Sequence, residues 1–183
     1  MRKKSEDLSM LRQWLLEAEF LPIIELARTR KRILSLLTAL TYDKDSIVSD
    51  RAIQATGLAA KTIAERDPEY IRIYLLRLFW LINDESGGVC WRAPELIGEI
   101  LYNCPSYEQF FPMLISLLDL EKEDAPRFRS GTLWAIGRVA QIRRDAMWPA
   151  LSQIQTYVSS EEASDIKEMA DWCAKQLTVG ELR

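Results

Sequence analysis

Residues 91–101 read W-R-A-P-E-L-I-G-E-I-L, and two other stretches share their pattern: D-R-A-I-Q-A-T-G-L-A-A at 50–60 and S-G-T-L-W-A-I-G-R-V-A at 130–140. Aligned on Gly57, Gly98 and Gly137, the copies are 41 and 39 residues apart. A fourth stretch, I-K-E-M-A-D-W-C-A-K-Q at 166–176, puts Cys173 in the same column 36 residues later. In the central copy Ala93, Leu96, Ile97, Ile100 and Leu101 recur at helical spacing, and Pro94 suits a first helical turn, where its missing N–H breaks no intrahelical bond. Glycine inside a helix costs about 1 kcal/mol relative to alanine. Three glycines in one column therefore predict that neighbouring helices approach closely there.

Working outward, the rest of the chain reads as helices with no strand. Asp7 to Glu19 forms a leading helix, and Leu21-Pro22 opens the next segment. Ile23 to about Leu40 reads as one helix with Arg28, Arg30, Lys31 and Arg32 in its middle, followed by Ser46 to Glu65, which Asp67-Pro68 stops. Glu69 to Ile82 is nearly all apolar, contains Trp80, and is expected to be buried on most sides. Beyond the N-D-E-S-G-G turn at 83–88 and the central copy, Tyr107 to Leu120 is expected as a helix, with Ser106 and Gln109 resembling a capping box. Arg127 to Gln141, a segment from near Trp148-Pro149 to about Val158, and a last segment to Leu177 complete the series. A period near 40 residues with two helices per unit is the mark of an α-solenoid. The expected organisation is a single domain over 1–183: a leading helix at 1–21, then helix pairs at 22–66, 67–104, 105–142 and 143–178.

Composition bounds the function. With 183 residues and 48% hydrophobic content, the chain can bury a sizeable core. Its 27 acidic against 24 basic residues give a net charge of −3, which disfavours a chain built to grip the nucleic-acid backbone. Three cysteines, Cys90, Cys104 and Cys173, have neither disulfide-framework nor zinc-site spacing and fit a reducing, cytoplasmic setting. No signal-peptide run and no membrane-length apolar run is read, so a soluble, unexported protein is expected.

The repeated pattern resembles the HEAT-like and armadillo-like helical repeat family over about residues 22 to 177, and N-D-E-S-G-G followed by W-R-A-P-E-L-I-G-E-I-L is similar to a group of small bacterial HEAT-like proteins. The resemblance implies an all-α superhelix of about four helix pairs plus an N-terminal helix, with the second helix of each pair lining the concave surface. Positions seven before, three before and one after the glycine turn away from each helix's own core: Asp50, Gln54 and Leu58; Trp91, Glu95 and Glu99; Ser130, Trp134 and Arg138. This makes Trp91, Arg92, Glu95, Glu99, Trp134, Arg138 and Gln54 the candidate partner-binding residues of that face, because aromatic residues and arginine concentrate binding energy. Packing under a neighbouring loop or helix is the competing reading for the tryptophans. Arg51 and Arg92, both six before the glycine, are read either as clamps for acids or phosphates or as repeat-to-repeat ion pairs. Glu99 and Arg138 are expected at one level of adjacent helices, within reach of each other and partly exposed.

The loop residues Asp84, Glu85 and Ser86 precede a helix start, a place suited to anions, but lack a phosphate-loop ending, and their acids oppose phosphate. With Glu95 they lack calcium-loop spacing. The sequence has no histidine, which excludes a Ser-His-Asp triad and the paired His-Glu iron site of HEAT-like hydroxylases. No catalytic residue, metal or cofactor is implied. The expected function is a non-catalytic module that binds a protein or peptide on its concave face. The alternative is a nucleic-acid-processing enzyme such as a HEAT-like DNA glycosylase, whose groove needs positive charge that this acidic chain does not advertise.

Overall fold

The computed structural model describes residues 2–82, 89–120, 125–159 and 163–179, with side chains from residue 5 in the first stretch and from residue 128 in the third. In chain order these form α1 (Arg2–Leu16), α2 (Phe20–Thr29), α3 (Ile33–Leu40), α4 (Ser46–Ala64), α5 (Pro68–Ile82), α6 (Ala93–Asn103), α7 (Phe111–Ser116), α8 (Ala125–Ala140), α9 (Arg144–Met147), α10 (Leu151–Ser159) and α11 (Ser164–Thr178). Short 3-10 turns at Pro105–Phe110, Leu117–Asp119 and Trp148–Ala150 link some of them, and no strand occurs among the described residues. The described residues are therefore all-α. Contacts divide it into two compact units, Met1–Leu75 and Leu76–Arg183.

In the first unit α4 packs against α1, α2 and α3. Leu11, Leu15, Ile23, Ile33, Leu34 and Leu37 are fully or almost fully buried, as are Val48, Ala52 and Ala59 of α4. Each large aliphatic side chain so placed contributes about 1.5–3 kcal/mol. Helix starts follow local chemistry. The Asp45 carboxylate accepts the Ile47 N–H at 2.9 Å, and Asp67 accepts the Tyr70 N–H at 3.0 Å with Pro68 at the first helical position. The end of α1 is a Schellman motif: the Glu19 N–H reaches the Trp14 carbonyl at 2.8 Å and the Ala18 N–H reaches Leu15 at 3.2 Å. Ala18 takes the left-handed position there, with φ 57°. Arg51 Nη1 donates to the Leu15 and Leu16 carbonyls at 2.8 and 2.7 Å, satisfying acceptors that the helix end leaves open.

Two expected helices are broken. The segment from Ile23 to Leu40 divides at Arg30, whose backbone is non-helical (φ −130°, ψ 85°). The crowded cations there are drawn to separate carboxylates: Arg28 to Glu25, Arg30 to Asp7 at 2.7 Å, and Lys31 to Asp67. The segment from Tyr107 to Leu120 divides into a 3-10 turn, α7 and a second 3-10 turn. Tyr107 is non-helical, and Pro112 has no N–H to continue the preceding turn. Ser106 consequently lies inside the 3-10 turn rather than capping a helix. The expectation that α5 is buried on most sides is also corrected: Ile71, Leu75 and Leu78 are buried, whereas Ile73 is exposed and Trp80 is 60% exposed.

In the second unit α8 lies between α6 and α11, and α10 packs on α11. Leu96, Ile97, Ile100, Leu133, Ile136, Val139, Ile154 and Leu177 form its core. Phe79 stacks with Phe110, centroids 6.0 Å apart.

Candidate functional site

The glycine column sets how closely the second helices of the second unit meet. A Cβ on Gly98 would lie 2.6 Å from both Cα and Cβ of Ala135, so α6 and α8 touch almost backbone to backbone. A Cβ on Gly137 would lie 2.3 Å from the Trp172 ring, which lies across α8 in the next repeat. Gly131 serves a different purpose. Its missing side chain leaves room for the Glu95 carboxylate, whose Oε2 is 2.5 Å from where a Cβ would stand.

This close approach closes over the polar residues that the helical wheel turns outward. Glu95 is 8% exposed and Glu99 3%, so neither lines an open surface, which corrects the expectation of a carboxylate-bearing groove. Each carboxylate is held by an arginine. Arg92, the residue before α6, meets Glu95 at 3.0 Å. Arg138 reaches Glu99 from α8 with two prongs, Nε to Oε2 at 2.8 Å and Nη2 to Oε1 at 3.1 Å. Asn103 donates to Glu99 Oε1 at 3.0 Å, Gln141 accepts from Arg138 Nη1 at 2.8 Å, and the guanidinium lies 3.4 Å from the centre of the Tyr102 ring. Burial opposes the charge on Arg138, and the bonds and charge of Glu99, with Tyr102, more than offset it; the guanidinium is held above its ordinary range. The expected meeting of Glu99 and Arg138 is present, but it is more enclosed than the spacing alone suggests. Arg51 and Arg92 share a column and differ in use: one caps α1, the other pairs with Glu95.

Trp91 and Trp134 are half-buried. Trp91 stacks on Phe128, centroids 5.0 Å apart and rings inclined by 29°. Gln54 is exposed on α4, in the first unit. Asp84, Glu85 and Ser86 lie outside the described residues. Among the described residues no three acidic or cysteine side chains gather where a metal ion could be held, and no helix is long and apolar enough to cross a membrane. Cys90, Cys104 and Cys173 are buried free thiols; burial pushes the Cys173 thiol up to about 12, against a weaker opposing hydrogen bond with Gly137. Such a thiol is unreactive at neutral pH. The helix-end bond of Arg51 and the seat of Glu95 at Gly131 are missed by sequence reasoning. The second glycine of S-G-T-L-W-A-I-G was the available signal for that seat.

Stacked second helices that meet at a small-residue column give the second unit a HEAT-like helical repeat fold. A protein of Archaeoglobus fulgidus described as "Uncharacterized protein" is 34% identical over 137 residues, which span 74% of this chain and 68% of that protein. The chain belongs to the same family as that archaeal protein. A crystal structure of the archaeal HEAT-like repeats protein from Thermococcus onnurineus NA1 matches 93% of this chain and 80% of that one, with 17% identity and a TM-score of 0.41. No protein-family model matches.

Proposed function

We propose that the chain is a non-catalytic binding module of the cytosol, and that the face carrying Trp91 and Trp134, the side a HEAT-like stack turns to its groove, holds a segment of a partner protein. The observation that carries this reading is that two tryptophans, Trp91 in the turn leading into α6 and Trp134 on α8, stay half-exposed beside helices pinned by Gly98 against Ala135 and by Glu99 with Arg138. Anchors fixed before binding lose little side-chain freedom when a partner arrives, so more of their contact shows as affinity. In this reading Glu95 and Glu99 act by position, holding Arg92 and Arg138 at the edge of the face. Gln54 holds the corresponding outward position on α4. The buried free thiols support a reducing compartment.

The test uses the full chain as bait in cross-linking recovery from source-cell lysate, wild type beside the Trp91→Ala, Trp134→Ala double variant, after thermal melts show that the variant folds. Loss of specific partners with the double variant is expected. Retention of every partner would remove the tryptophan face from the function. Tight, salt-sensitive binding of duplex DNA in a parallel gel shift would favour a nucleic-acid enzyme instead.

A further inference from the structure

The first helices of the last two repeats carry a feature separate from the tryptophan face. F-P at 111–112 and W-P at 148–149 stand 37 residues apart, at matching places in successive repeats. Each proline ends one helical turn and begins another, so α7 and the 3-10 turn at 148–150 are short, offset pieces. Between them lies a groove of about 530 Å³, floored by Phe111, Pro112, Ile115 and Pro149. That size falls within the roughly 300–1,000 Å³ of ligand-holding clefts.

The mouth of the groove is acidic. Glu108 and Asp119 line it, and among the described residues Arg143 is its one lining cation. The Arg143 guanidinium is already divided between Glu108 at 2.7 Å and Asp145 at 3.4 Å. Asp119 accepts only the neutral Gln153 amide, at 2.9 Å, among the described residues. Among the described lining residues two carboxylates face one guanidinium that Asp145 already shares, so the apolar floor lies beneath a net negative rim.

We propose that this groove docks a short peptide segment of another protein that sets apolar side chains on Phe111, Ile115 and Pro149 and a lysine or arginine against Asp119. Apolar contact supplies the affinity, and the rim sets the sign of the charge that is accepted. The site does not depend on the tryptophan face.

The probe is a random peptide library displayed on phage, selected on the immobilised full chain and counter-selected on the Ile115→Glu variant. Enriched peptides are expected to pair apolar residues with lysine or arginine, and the best of them, labelled for anisotropy, to bind about tenfold or more weakly to Ile115→Glu. Asp119→Lys should weaken it several-fold and added salt should reduce the difference, whereas Trp91→Ala should leave it unchanged. Should Ile115→Glu fail to fold, Ser116→Arg, at an exposed position on the same rim, makes the same comparison. Selection that yields no peptide distinguishing wild type from these variants, or that yields acidic peptides, overturns the proposal.

Discussion

Glu99 of α6 and Arg138 of α8 are joined by two hydrogen bonds, 2.8 and 3.1 Å long, with the Glu99 side chain only 4% exposed and that of Arg138 25% exposed. A pair this enclosed matters most when it is broken. Arg138→Met should destabilise by about 2–4 kcal/mol, because it strands a buried carboxylate; the Glu99→Leu, Arg138→Met double variant should recover most of that loss. Urea midpoints of the two single variants and the double variant measure the coupling. Equal losses for the single and double variants would mean that shape rather than charge matters there.

Gly98 and Gly137 share a column but not a neighbour. The Cβ of Gly98→Ala meets the Cα of Ala135, which only a shift of the whole helix relieves, so a loss of about 1–3 kcal/mol is expected. Gly137→Ala meets the edge of a half-buried ring, Trp172, that can swing aside, and the gain in helix propensity of about 1 kcal/mol offsets the cost. Urea unfolding at unchanged slope should rank Gly98→Ala clearly below Gly137→Ala. The reverse order would show that helix separation is not set at Gly98.

The helix pairs and the glycine column were legible because both rest on period, a property that one sequence carries in full. Tertiary pairing was not. A helical wheel sorts residues by their own helix and has no knowledge of α8, which covers Glu95 and Glu99 once Gly98 and Gly131 admit it. The break between α2 and α3 escaped for a similar reason. Ile23 to Leu40 keeps a helical period throughout, and the partners that draw its cations apart, Asp7 and Asp67, are distant in sequence. The proline breaks at 112 and 149 were open to inspection, but their effect on α7 was outweighed by the apolar run around them.

Ala18 ends α1 in a conformation that suits glycine. The left-handed backbone costs an L-residue roughly 1–2 kcal/mol, and the greater freedom of an unfolded glycine returns about 0.5–1 kcal/mol of that. Ala18→Gly should therefore stabilise the first unit by about 0.5–1 kcal/mol, with both hydrogen bonds of the motif retained. Thermal melts check it; a lowered midpoint would show that the Ala18 methyl makes contacts worth more than the strain.

The Asp43 carboxylate is held by Arg12 from α1, Nε at 2.8 Å and Nη2 at 3.2 Å, and by the Asp45 N–H at 3.0 Å. The Arg12 hydrogen bond, then that of the Asp45 N–H, keeps its carboxyl below the ordinary range despite some desolvation. A folded value below the unfolded one means that the stabilisation is fully present above about pH 4 and is lost as pH falls through the folded value. Arg12, itself raised by the same pair, stays charged throughout. Asp43→Asn should cost about 1 kcal/mol or less at neutral pH, since Arg12 is half-exposed and the pair is screened. The gap between wild type and variant should hold from pH 7 to about pH 5 and close as the pH falls through the lowered folded value. Comparing the two proteins at each pH by urea midpoint cancels other carboxylates titrating in the same window, Asp67 among them. A gap that persists in strong acid would assign the contribution to the shape of the turn and the Asp45 N–H rather than to the charge that Arg12 meets.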